Sequence, residues 1–158
     1  EWGPVENLVV EERPSPPLGP DDVRVDVTAC GVNYVEGLMV QGLYQVKPPL
    51  PFSPGTEMAG VVVETGSDVQ GFKPGDRVIA IAGLGGFAEE CAVYASRLIP
   101  LPEGMDFDTG AAFLYTYETS LHGLRDRGRL KAGETLVVLG AAGSQLDPEL
   151  ARLFCTLI

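Results

Sequence analysis

Residues 23–29, VRVDVTA, alternate Val23, Val25, Val27 and Ala29 with Arg24, Asp26 and Thr28. That period of two predicts a strand with one buried face. MAGVVVETG, from Met58, predicts a second strand ended by Gly66. GDRVIAIA predicts a third, leaving the turn KPGD at residues 73–76, where Pro and Gly favour chain reversal. GGFAEECAV and RLIPLP supply two more, with Gly85 and Gly86 read as a hairpin turn. Between the first two strands, NYVEGLMVQGLY predicts a short helix with Val35, Leu38 and Met39 on one face. Short strands at this spacing point to a barrel or sandwich.

The pattern changes after Pro102. DFDTGAAFLYTYETSLHGLRDRGRL predicts helix, with Asp106 or Asp108 as the cap. KAGETLVVLG then predicts a buried parallel strand over residues 135–139. The expected class is mostly β with α (α+β). A β-rich domain is expected over residues 1–106, connecting helices over 107–132, and the start of a second domain over 133–158. No internal repeat is evident.

Composition narrows the partners. The chain has 158 residues, 45% of them hydrophobic, and a formal net charge of −11. A sizeable core is therefore expected. Nucleic acid and anionic membrane surfaces are poor partners for such a charge. Cys30, Cys91 and Cys155 are widely spaced and odd in number, which argues against a disulfide framework or a zinc knuckle. No apolar run approaches 18 residues. A cytoplasmic protein is expected, and the absence of Met before Glu1 suggests a trimmed or partly observed chain.

Five segments in order carry a resemblance: GVNY at 31–34, PGTEMAG at 54–60, KPGDRV at 73–78, GGFAEE at 85–90 and KAGETLVVLGAAG at 131–143. Together they resemble the medium-chain dehydrogenase/reductase superfamily, in its zinc-independent quinone oxidoreductase (zeta-crystallin-like) branch. The resemblance implies a GroES-like barrel, then helices and the first strand–turn–helix of a Rossmann domain. It also implies NADPH as hydride donor, a quinone or conjugated enone as acceptor, and a possible homodimer. Zinc-dependent relatives carry metal ligands where this chain has Asn33 and Thr56. An amide and a hydroxyl are poor zinc ligands, so no metal is expected, and Glu57 cannot hold one alone.

Hydride transfer asks the protein for orientation and for donors toward a developing oxyanion. By resemblance, Asn33 lines the nicotinamide pocket and donates to a carbonyl; the alternative is a loop-stabilising Asn. Tyr44 has a counterpart near the substrate, or is an edge-packing residue. Glu36 stands where close relatives often have Asp, and Leu38 where some have a second Tyr. Thr116 and Thr119 match a segment that contacts the nicotinamide, or cap and back-bond their own helix. Cys30 reads as a small core residue, and His122, the single histidine, as structural or surface.

The dinucleotide fingerprint begins and then departs. Gly140 and Gly143 are present as cofactor-binding candidates, but Ser144 and Leu146 stand where further glycines are expected. Their Cβ atoms would crowd the backbone–phosphate approach. Asp147, Pro148 and Glu149 then predict a helix start, with Leu150, Leu153, Phe154 and Leu157 on one face. Most of the cofactor domain is expected to be missing after Gly143, by deletion, frameshift or omission, leaving this chain weak or inactive alone. Two other readings stand beside the reductase: a non-catalytic GroES-like binding or assembly module, and an enoyl or acryloyl thioester reductase.

Overall fold

A computed structural model describes residues 1–136. Residues 1–115 form one compact unit, and residues from Thr116 onward belong to a second. The first contains a five-stranded antiparallel sheet in the order β4-β1-β2-β3-β5. Its strands are β1 (Asp22–Cys30), β2 (Glu57–Thr65), β3 (Arg77–Ile81), β4 (Glu90–Tyr94) and β5 (Leu98–Pro100). Helix α1 (Tyr34–Val40) joins β1 toward β2, and α2 (Phe107–Ala111) follows β5.

Period-two patterning gives this sheet two apolar faces. One gathers Val23 and Val25 from β1, Met58 and Val62 from β2, Val78 and Ala80 from β3, Cys91 and Val93 from β4, and Leu98 from β5. The opposite face carries Ala59 and Ile79, which pack with Leu101 and with Ala111 of α2. The Asp106 carboxylate caps α2 by accepting from the Thr109 N–H at 2.7 Å. That bond also holds the Asp106 carboxyl below its ordinary pKa, through its interactions with Thr109.

Two expectations are corrected. The alternation of 23–29 does not run unbroken: Val27 pairs with Gly60 but Ala29 with Ala59, so Thr28 is an extra residue in β1. Such a bulge reverses the inward phase. Ala29 therefore packs on the α2 side and Cys30 against the main core. Gly85 and Gly86 do not form a hairpin turn, because β1 and β2 lie between β3 and β4. Their segment crosses between strands and pairs with the Pro54 loop. The N–H groups of Gly85, Gly86 and Phe87 donate to the carbonyls of Ser53, Gly55 and Pro54 at 2.9, 3.0 and 2.9 Å.

In the second unit, α3 (Leu114–Leu121), whose first two residues belong to the first unit, runs into a π-helical turn, His122–Arg127. There the Gly128 N–H donates to the Gly123 carbonyl at 2.8 Å. Of the strand expected over 135–139, only Thr135 and Leu136 are described, and neither is in regular structure. Gly140, Gly143, Cys155 and the helix expected after Asp147 lie outside the described residues. Among the described residues, no helix is long and apolar enough to cross a membrane.

Candidate functional site

The bulge at the end of β1 delivers the chain to Gly31, whose N–H donates to the Glu57 carbonyl at 2.9 Å. A Cβ at Gly31 would stand 2.5 Å from the Ala111 carbonyl oxygen, so a larger residue would push this loop off α2. Two residues on, Asn33 takes the N-cap position of α1 with extended backbone. The expected face of α1 shifts slightly: Val35, Glu36, Met39 and Val40 are buried, while Leu38 is half-buried.

Glu36 is the centre of this region and is only 3% exposed. Its Oε2 accepts from the Asn33 N–H at 2.8 Å, and its Oε1 from the Thr56 N–H at 2.9 Å and the Thr56 hydroxyl at 2.5 Å. One carboxylate thus ties the start of α1 to the PGT turn before β2. Of the three residues expected to do chemistry, Glu36 is the one whose oxygens are already engaged by the protein. The Asn33 Nδ2 is the reverse: it is buried and has no hydrogen-bond partner.

Glu57, fully buried, lies beside this node. Its Oε1 accepts from the Tyr115 N–H at 3.0 Å, and its Oε2 is buried without a partner. Burial raises the carboxyl above its ordinary pKa; the Tyr115 and Leu114 N–H groups oppose this, and the Glu36 charge adds to it. The Cys30 thiol donates to the Glu57 carbonyl at 3.0 Å. Burial, then the neighbouring Glu36, pushes that thiol up to about 12, and Cys30 packs against the main core.

Tyr44 is half-buried in the long loop after α1. It meets Tyr115, whose phenol is raised first by partial burial, then by Tyr44 and Glu36, and by a hydrogen-bonding contact with the Tyr44 side chain. Asn33, Glu36 and Tyr44 therefore share a neighbourhood with Thr56, Glu57 and Tyr115. The last two were not foreseen as site residues. Glu57 had a signal: a carboxylate in an otherwise apolar strand start is unusual unless it is bonded. Tyr115 had none, since its partners lie far away in sequence.

Thr116 and Thr119 belong to the second unit; Thr116 is half-buried and Thr119 exposed. The back-bonding there comes from Ser120, whose hydroxyl donates to the Thr116 carbonyl at 2.8 Å. His122 is exposed and its Nδ1 lies 3.1 Å from the Asp126 carboxylate. Among the described residues, no group of three His, Cys, Asp or Glu side chains could hold a metal ion.

Residues 19–103 match the family model of the alcohol dehydrogenase GroES-like domain. Quinone oxidoreductase-like protein 2 of Rattus norvegicus is 42% identical over 137 residues, 87% of this chain and 39% of the relative. A "probable oxidoreductase" from Mycobacterium abscessus superposes with a TM-score of 0.80 at 45% identity, covering 87% of this chain and 44% of that one. Escherichia coli quinone oxidoreductase, solved in complex with NADPH, gives a TM-score of 0.76 at 30% identity, covering 80% of this chain and 39% of that one. The chain spans about two fifths of the length of these proteins. With the GroES-like sheet and this order of motifs, the chain belongs to the alcohol dehydrogenase GroES-like domain family, within the quinone oxidoreductase group of the medium-chain dehydrogenase/reductases.

Proposed function

We propose that the chain supplies the catalytic domain of an NADPH-dependent reductase of quinones or conjugated enones that works without zinc. The observation carrying this reading is the Asn33 Nδ2, a buried donor left without a partner beside a carboxylate whose oxygens are engaged. A buried donor of this kind is costly unless a ligand completes it. It suits a carbonyl oxygen, whether of the nicotinamide amide or of the acceptor. NADPH, when bound, supplies the hydride.

The chain's own residues do the rest. Asn33 donates toward the carbonyl oxygen, where negative charge grows during transfer. Tyr44 offers a second, neutral donor. Glu36 holds the Asn33 backbone and Thr56 in register, as a positioning residue. Zinc independence is supported by Asn33 and Thr56 at the ligand places. The Glu57 carboxylate is moreover turned to the Tyr115 N–H. Thr116, Thr119, Gly140 and Gly143 remain the proposed cofactor contacts. A reducing compartment such as the cytosol is supported by Cys30 and Cys91, both free thiols.

The test is NADPH-dependent reduction of duroquinone, a fully substituted quinone with little tendency to add thiols, by the whole enzyme that carries this domain, with and without a chelator. Asn33→Ala is expected to lower kcat/KM by about a hundredfold, the size of losing one oxyanion donor. Chelation is expected to change nothing. Activity that a chelator abolishes, or that ignores Asn33→Ala, would overturn the reading. A chain with no saturable NADPH binding would point instead to a binding module.

A further inference from the structure

The loop carrying Tyr44 has little of its own to hold it. Residues 41–56 contain no helix or strand. Among the described residues, positions 44–52 take part in no backbone–backbone hydrogen bond. Leu43, Val46 and Leu50 are exposed. An untethered loop of this length samples many conformations, and fixing it to receive a ligand costs entropy.

One side chain touches both ends of the loop. The Trp2 ring lies 5.6 Å, centroid to centroid, from Phe52. The same indole covers Gly42, where a Cβ would stand 3.2 Å from the Trp2 Cγ and the backbone has a φ of +67°. The neighbouring Gly3 N–H donates to the Val40 carbonyl at the end of α1, at 3.1 Å. The N-terminal segment therefore lies across the end of α1, with its indole seated on the residues that open and close the loop. Glycine at 42 serves this twice, by admitting the ring and by tolerating positive φ.

We infer that Trp2 is a positioning residue for Tyr44: it pins Gly42 and Phe52 together, closes the 42–52 loop, and so presents the Tyr44 hydroxyl to an acceptor. The inference rests on the reading of Tyr44 as an acceptor contact. Trp2 is also the single tryptophan of the chain, so its emission reports the state of this loop.

Two measurements on the 158-residue chain separate the inference from the reading it rests on. The first is limited proteolysis with chymotrypsin, read by mass spectrometry at Leu43 and Tyr44. Trp2→Leu is expected to speed cleavage there at least tenfold while leaving β1 to β3 uncut, and Trp2→Phe to restore resistance. Unchanged cleavage at Leu43 and Tyr44 in Trp2→Leu overturns the inference, whatever the ligand does.

The second is duroquinone binding by ligand-observed NMR. Trp2→Leu and Tyr44→Phe are each expected to weaken binding by about tenfold, with the double variant no weaker than Tyr44→Phe, because both act through one contact. Tyr44→Phe weakening while Trp2→Leu binds normally overturns the inference but not the site. Tyr44→Phe binding normally overturns the site reading and, with it, the link from Trp2 to the acceptor. If Trp2→Leu fails to fold, Phe52→Leu, which removes the ring on the other side of the contact, carries the same comparison. Loosening of the loop together with weaker binding supports the inference; an unchanged loop, or a loosened loop with normal binding, overturns it.

Discussion

β2 begins with two different kinds of burial side by side. Met58 and Val62 point into an apolar cluster with Val23, Val25 and Val78. Immediately before them, Thr56 and Glu57 are as deeply buried but polar. The apolar side is held by contact area, which is indifferent to direction, so a similar volume serves nearly as well. The polar side is held by aimed bonds: Glu36 to Thr56 and Asn33, and Glu57 to Tyr115. Stability can come from either. A fixed geometry around Asn33 comes from the second kind.

The sharpest way to break the comparison is Glu36→Ala. It strips partners from the Asn33 N–H, the Thr56 N–H and the Thr56 hydroxyl at once. An uncompensated buried donor costs about 1–3 kcal/mol, so a loss on the order of 4 kcal/mol is expected in urea unfolding. Glu36→Gln, which keeps the shape, should recover about half of it but not the acceptor affinity. Met58→Ala is next, at about 3 kcal/mol, from transfer and cavity together. Unlike Glu36→Ala, it should leave duroquinone affinity unchanged where the protein stays folded. If Met58→Ala weakened binding as much as Glu36→Gln, the division between apolar support and polar geometry would fail.

Glu57→Gln gives the smallest effect, and it is a pH effect. The folded carboxyl titrates above its ordinary value near 4.5, chiefly from burial. The folded state therefore holds the proton more tightly than the unfolded state. The resulting stability is fully present below the ordinary value and is lost as pH rises through the folded one. Melting temperatures followed upward from pH 4 should fall relative to Glu57→Gln, which cannot titrate. Parallel curves for the two proteins would show that Glu57 ionises in the fold as freely as in water.

The site was partly visible in the chain. Asn33 stands in GVNY, one of the ordered motifs, whereas Tyr44, outside them, and Glu36, where relatives often carry Asp, came in by resemblance. What Glu36 touches was not visible, because Thr56 is 20 positions away. Tyr115, 58 positions from Glu57, and Trp2, at the far end of the chain from α2, gave no sign of belonging. The hairpin assigned to Gly85 and Gly86 failed for a related reason: two glycines signal a reversal, but not which strands flank it.

Local periodicity and turn chemistry determined the five strands, the short helix after β1 and a cap at Asp106 or Asp108, of which the structure uses Asp106, since each depends on neighbours within a few residues. The ordered motifs added the family. Tertiary structure decided the strand order β4-β1-β2-β3-β5, and the bulge at Thr28 that turns Cys30 toward the core. It also decided the carboxylate node at Glu36 and the seat of Trp2 on both ends of its loop. These depend on pairings between distant segments, which form only when the sheet brings the segments together and which leave no periodic trace in the chain.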